Sequence, residues 1–243
     1  MATENPLHQF TIERLIPIHI GGIDASFTNS ALVMSITVVL ITAFVLLTTR
    51  RAALVPGRWQ SVTEMLYEFV ANNLVAQNAG HGAEPYMPFV FSLFTFILLG
   101  NLIGLFPYSF TFTSHIIVTF ALAAVVFIGV TIIGIAKHGV RFLSLFVPHG
   151  VPKVLLLLLV PIEVLSYFIR PFTLSIRLFA NMMAGHTMLV IFAGFVTALG
   201  LAGIGPLAVD VALVLLELLV AVLQAYVFAI LTCLYLADAL HLH

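Results

Sequence analysis

Long apolar stretches, separated by short polar segments, organise this chain of 243 residues. Ala31 to Leu47 carries no charge. With Asn29 and Thr48-Thr49 at its ends, it reaches the length of about 20 residues that a helix needs to cross a bilayer. Tyr86 to Phe106 and Ser114 to Ala136 are two further stretches of this kind. Trp59 to Val75 differs: Val62, Met65, Leu66, Phe69, Val70 and Val75 recur at helical spacing, with Glu64, Glu68, Asn72 and Asn73 between them. That pattern predicts an amphipathic helix, too polar to span, lying on the inner membrane surface. Residues 5–18 mix apolar and polar positions ahead of Gly21-Gly22, and Phe10, Ile12, Leu15 and Ile16 suit a short surface helix.

Two longer apolar helices follow. The first starts at Val154 or at Ile162 and runs to Val196; Pro161 and Pro171 can kink it without ending it. From Ile162 it would extend about 52 Å at 1.5 Å per residue. A hydrocarbon core is about 30 Å thick, so such a helix must be strongly tilted. Gly200, Gly203, Gly205 and Pro206 mark a turn, with Pro206 suited to the first helical position. The last helix then runs from Leu207 to Ala237, completing a hairpin. The fold class is thus an all-α membrane protein with five crossing helices plus one amphipathic interfacial helix.

Composition agrees: 62% of residues are apolar and 8% charged, against about 25% charged in soluble domains. A net charge of -1 argues against electrostatic binding of nucleic acid. The single cysteine, Cys233, leaves no intrachain disulfide and no metal-type spacing. No Gly-x-x-x-x-Gly-Lys-Ser/Thr loop occurs, so no nucleotide site is expected, nor any cofactor or metal. Met1 to Gln9 is polar and does not read as a secretory signal. Arg50, Arg51 and Arg58 follow the first span, while Lys137, His138, Arg141 and Lys153 follow the third. Both clusters fall on one side, which the positive-inside rule makes cytoplasmic or matrix, with the N-terminus outside and the C-terminus inside. Without internal repeats, the chain reads as one transmembrane domain. Residues 1–28 form its outer segment, 31–137 its first three spans with the interfacial helix at 59–75, and 154–243 its hairpin.

Candidate chemistry lies in that hairpin. An ionised arginine near a bilayer centre costs from about 3 to well over 10 kcal/mol. Arg177 has long apolar stretches on both sides, too long for simple snorkelling. Steps of seven stay on one helix face, so Glu163, Arg170 and Arg177, with Asn181 one turn on, lie within a sector of about 40°. Asp210, Glu217 and Gln224 repeat the spacing, and Asp238 continues it. Two polar stripes on apolar helices suggest a water-lined path. With the turn near Leu201, His186 comes level with Glu217, and Arg177 with Gln224 or one residue past it. His186 points roughly opposite Arg177 on an ideal helix; tilt, unwinding at Gly185 or another helix pair would resolve this. A His–Glu pair can pass protons or simply neutralise itself. Arginine stays charged and suits an electrostatic separator. Asn101, in Gly100-Asn101-Leu102-Ile103-Gly104, either lines the path or sits among packed glycines. His115 is expected at the outer interface.

Leu174-Ser175-Ile176-Arg177-Leu178-Phe179-Ala180-Asn181-Met182-Met183-Ala184-Gly185-His186 resembles the signature of subunit a of F-type ATP synthases. Leu223-Gln224-Ala225-Tyr226-Val227-Phe228 and Gly100-Asn101-Leu102-Ile103-Gly104-Leu105-Phe106-Pro107 are similar to two further segments of that family. The resemblance implies that Arg177 is the essential stator arginine facing the carboxylates of a rotating c-ring, with Gln224 beside it. It implies that Asn181, His186 and Glu217 line an outer half-channel, with Asn101 on the proton path, and that Glu163 belongs to an inner one. Many members carry an acid at the position of His186 and a histidine at that of Glu217; the exchanged pair here looks like mitochondrial and some bacterial members. Arg170, Asp210 and Asp238 are second-line candidates. The implied partners are c-ring subunits, peripheral-stalk b subunits, the rest of the synthase and the lipid bilayer. The implied location is a bacterial inner membrane, with a mitochondrial one left open. A self-contained transporter or channel is the alternative, and it would call for repeats or broken helices that are not visible.

Overall fold

The computed structural model describes residues 11–17, 19–20, 23–24, 26–50, 53, 55–80, 82–106, 109–147 and 153–241. Six α-helices dominate: α1 (Asn29–Thr49), α2 (Arg58–Glu68), α3 (Met87–Gly104), α4 (Ile116–His138), α5 (Lys153–Leu199) and α6 (Ile204–Leu240). Among the described residues, five helical segments are long and apolar enough to cross a membrane, as the hydrophobic pattern requires. α5 holds Pro161 and Pro171 inside 47 residues of unbroken helix, starting at the earlier of the two expected points. That is about 70 Å of helix path at 1.5 Å per residue, more than twice the hydrocarbon thickness. A helix of that length fits only when tilted.

Several boundaries differ from the expectation. The surface helix expected over residues 5–18 is absent from the described part: residues 5–10 lie outside it, and Arg14–Ile16 is β1. β2 (His19–Ile20) pairs with β3 (Ile23–Asp24), and β1 pairs antiparallel with β4 (Phe27–Thr28). Asn29, at the start of α1, secures the extended segment. Its Nδ2 donates to the carbonyl of Thr11 at 3.1 Å, and its Oδ1 accepts from the amide of Glu13 at 3.3 Å. Those backbone bonds compete with helix formation. Pro206 is the third residue of α6, not the first. The turn before it is a 3₁₀ segment, Gly200–Gly203. Gly200 takes the left-handed φ of 58° there. A Cβ on Gly203 would stand 2.6 Å from the Val196 carbonyl oxygen.

The helix expected at 59–75 exists, but its second half winds as a π-helix, Phe69–Ala76, continuous with α2. Its first half turns apolar side chains outward, whereas Val70, Leu74 and Val75 of the second half are buried. Trp59 and Met65 are 71% and 70% exposed, while Gln60 and Thr63 are buried. Gln60 is held by the backbone of Ala53 and by Glu64. The same inversion covers α1, whose Val39 and Leu47 face outward while Thr37 is buried and donates to the carbonyl of Val33. In lipid an outward apolar side chain carries no penalty, whereas every backbone and hydroxyl group needs an internal partner.

By their contacts the residues fall into two units. One is drawn from Met1–Arg51, Thr95–Val118 and Leu178–Ala225. Its core holds Ile97, Phe112, Leu178, Met182 and Ala221. Here the glycines of α3 receive a loop: a Cβ on Gly100 would strike the Phe112 ring, and one on Gly104 would lie 2.7 Å from Thr111 Oγ1. The other unit is drawn from Ala52–Phe94, Thr119–Arg177 and Tyr226–His243. Val70, Leu74, Val126, Phe142, Tyr167, Phe228 and Cys233 are buried there. Tyr167 stands at its centre, with rings of Phe127, Phe146 and Phe168 within 6.0 Å.

Candidate functional site

In the first unit, α5 and α6 run antiparallel and bring together the residues that helical spacing singled out. His186 and Glu217, both 8% exposed, face each other with Nδ1 3.9 Å from Oε2. That separation is too long for a hydrogen bond, and it is an ion pair only when His186 is protonated. It matches the register expected from a turn near Leu201. The close approach depends on Gly185, since a Cβ at that position would meet Glu217 Oε1 and lie 2.9 Å from its Cγ and Cδ. α5 is unbroken here, so the unwinding considered for Gly185 does not occur.

Between one and two turns away, Asn181 Nδ2 donates to Gln224 Oε1 at 2.9 Å, giving Gln224 an in-chain partner. Asn101 is fully buried on α3 and donates to the carbonyl of Ala221 on α6 at 3.3 Å, which ties the helix carrying Glu217 and Gln224. A residue that spacing does not reveal completes the cluster: Thr111 Oγ1 lies 3.0 Å from His186 Nε2. Its only local signal is a hydroxyl shortly after a helix C-terminus. Buried polar atoms usually find a partner. Among the described residues, both carboxylate oxygens of Glu217, Asn101 Oδ1, Gln224 Nε2 and Asp210 Oδ1 have no hydrogen-bond partner. Asp210 is only partly buried and close enough to Glu217 to act on it electrostatically.

His115 precedes α4 and stacks on Phe110, with centroids 4.9 Å apart and planes at 15°. Burial lowers its pKa below the ordinary 6.5.

The second unit contains the other charged candidates. Arg170 Nη1 donates to Asp238 Oδ2 at 2.7 Å, and the guanidinium lies over Tyr235 at 5.1 Å and Tyr167 at 5.7 Å. Tyr167 in turn shares a 2.7 Å hydrogen bond with Thr131. Ser175 and Thr119, both buried, lie 3.1 Å apart. Glu163 is half-buried, without a hydrogen bond or ion pair among the described residues. Arg177 is exposed, and it too has no hydrogen bond or ion pair there. The face opposite His186 therefore points out of the chain, as the phase of an ideal helix requires. No group of three or more His, Cys, Asp or Glu side chains stands ready to hold a metal among the described residues.

This arrangement can hold and exchange protons in one place and present a fixed cation in another. Known proteins resemble this chain in sequence. The family model described as ATP synthase A chain matches residues 31–237. The ATP synthase subunit a of Parvibaculum lavamentivorans is 60% identical, over 98% of this chain and 94% of its own length. That of Mesorhizobium japonicum is 59% identical over 98% and 96%. That of Chelativorans sp. is 60% identical over 99% of each chain. On a match of this extent, the chain belongs to the ATP synthase subunit a family.

Proposed function

We propose that this chain is the membrane-embedded stator subunit of a rotary F-type ATP synthase, offering two proton half-channels to the carboxylates of a c-ring. The observation that carries the reading is the contrast between two arginines on one helix. Arg170 has Asp238 at 2.7 Å, whereas Arg177, seven residues on, has no partner among the described residues and is exposed. A charge kept in an apolar helix without an internal partner calls for one from outside. A c-ring carboxylate meets that requirement.

Protons enter from the outer side along Asn181, His186, Glu217 and Gln224, with Asn101 lining or bracing that path. The delivered proton neutralises a ring carboxylate, which can then enter lipid at low cost. Arg177 favours the charged form of the next carboxylate and so draws off its proton. That proton leaves by the inner half-channel with Glu163, and with Arg170 and Asp238 at its side; Asp210 belongs to the outer polar stripe. The driving force is about 2.3 kcal/mol per proton per 100 mV. The peripheral-stalk b subunits would hold the chain against the turning ring. The whole chain acts as one membrane domain in a bacterial inner membrane, N-terminus outside and C-terminus in the cytoplasm. ATP chemistry occurs elsewhere in the complex.

Arg177→Ala in the full synthase, reconstituted in vesicles, tests this. ATP-driven proton pumping should be abolished while passive proton leak persists. Wild-type coupled pumping in that variant would refute the separator role.

A further inference from the structure

Thr111 makes two contacts through one hydroxyl. Its Oγ1 is 3.2 Å from the carbonyl oxygen of Gly104 and 3.0 Å from Nε2 of His186. A threonine hydroxyl carries a single proton and accepts through its oxygen; a carbonyl can only accept. The hydroxyl proton must therefore point at Gly104. What remains for His186 is the oxygen lone pair, which needs an N–H from the ring. Gly104 is the last residue of α3, and the final carbonyls of a helix lack intrahelical amide partners. Thr111 meets that need, and the absence of a Cβ on Gly104 gives it the room to do so.

From this geometry we infer that Thr111 is a positioning residue: it holds neutral His186 as the Nε2–H tautomer, so that the basic nitrogen, Nδ1, faces Glu217. The inference rests on the proposed role of His186 and Glu217 in the proton path. It makes the imidazole a one-ended proton carrier. Transfer follows when the 3.9 Å gap between Oε2 and Nδ1 closes to hydrogen-bond length: the Oε2–H bond of protonated Glu217 breaks as an N–H bond forms at Nδ1, leaving a carboxylate and an imidazolium, and return of that proton reverses both changes. The Nε2 proton stays on the ring throughout, donated to the Thr111 oxygen. A relay through the ring would require Thr111 to accept the Nε2 proton while passing its own to the Gly104 carbonyl, which has no way to keep it.

Nitrogen-15 solid-state NMR of the full synthase in proteoliposomes tests this, with labelled histidine at about pH 8, above the ordinary histidine range. The His186 signals are those lost in His186→Gln. Wild type should show Nε2 protonated and Nδ1 bare. Thr111→Val should move the ring toward the Nδ1–H form and cut ATP-driven pumping by about tenfold, the scale of one lost hydrogen bond. Thr111→Ser, which keeps the hydroxyl, should restore both readings. A protonated Nδ1 in neutral wild type, an unchanged tautomer in Thr111→Val, or unchanged pumping once the tautomer has moved would each overturn the inference. The underlying reading fails separately: coupled pumping at the wild-type rate in Glu217→Gln would remove Glu217 from the path and leave the wild-type tautomer as found.

Discussion

Gly185 has no room for a side chain beside His186, because the Glu217 carboxyl occupies the space that a Cβ would take. Gly185→Ala should push that carboxyl away from His186 and cost about 1 to 3 kcal/mol of overpacking. Expression should survive, but pumping in reconstituted vesicles should drop at least tenfold, an effect of about 1.4 kcal/mol. Gly129→Ala is the control, since a Cβ there meets nothing within 4 Å and pumping should stay at the wild-type rate. Much at this scale was legible in the sequence. Helical phase alone sets His186 and Arg177 on opposite faces, and the structure finds one buried and the other exposed. Thr111 was not legible, because its contact with His186 joins positions 75 residues apart through a loop with no periodicity. Nor was the Asn181–Gln224 hydrogen bond, since a register set from a turn is uncertain by a few residues and spacing alone had set Gln224 level with Arg177.

Between elements, the Arg170–Asp238 pair joins α5 to α6 where both side chains keep some exposure, 25% and 41%. Partly exposed ion pairs contribute about 0.2 to 1 kcal/mol. A double-mutant cycle with Arg170→Gln and Asp238→Asn, read by thermal inactivation of the complex, should therefore return a coupling of at most about 1 kcal/mol. A coupling of several kcal/mol would mean that a partner outside the chain seals the pair from water. The apolar pattern disclosed where helices lie but not how they wind. Phe69–Ala76 contains no proline or glycine to announce its π-helix. Asn78 supports that winding from beyond its end, its Nδ2 donating to the carbonyls of Asn73 and Leu74 at 3.1 and 2.8 Å. The short strands escaped notice for a related reason: Arg14–Ile16 is fixed by backbone pairing and by Asn29, and hydrophobic spacing is blind to both.

For the molecule as a whole, the outward side chains are mainly apolar, with Arg177 a charged exception on α5. A protein built this way completes its work with a partner. Mild detergent extraction should bring the chain out together with a ring subunit bearing a membrane-buried carboxylate, and the chain reconstituted alone should give no coupled transport. Transport by the solitary chain would favour a self-contained carrier instead. Five spans and the hairpin followed from composition and run length, because lipid leaves few alternatives to a helix. The loop contacts that set protonation states depend on three-dimensional packing and could not follow from them. Those contacts also bear on biosynthesis. Ribosomes add about 5 to 20 residues per second, so His186 emerges roughly 4 to 15 seconds after Thr111, 75 positions behind it. Gly104, whose carbonyl accepts from the Thr111 hydroxyl in the folded chain, is made earlier still. Both the hydroxyl and the group that orients it are therefore synthesised before the histidine they receive.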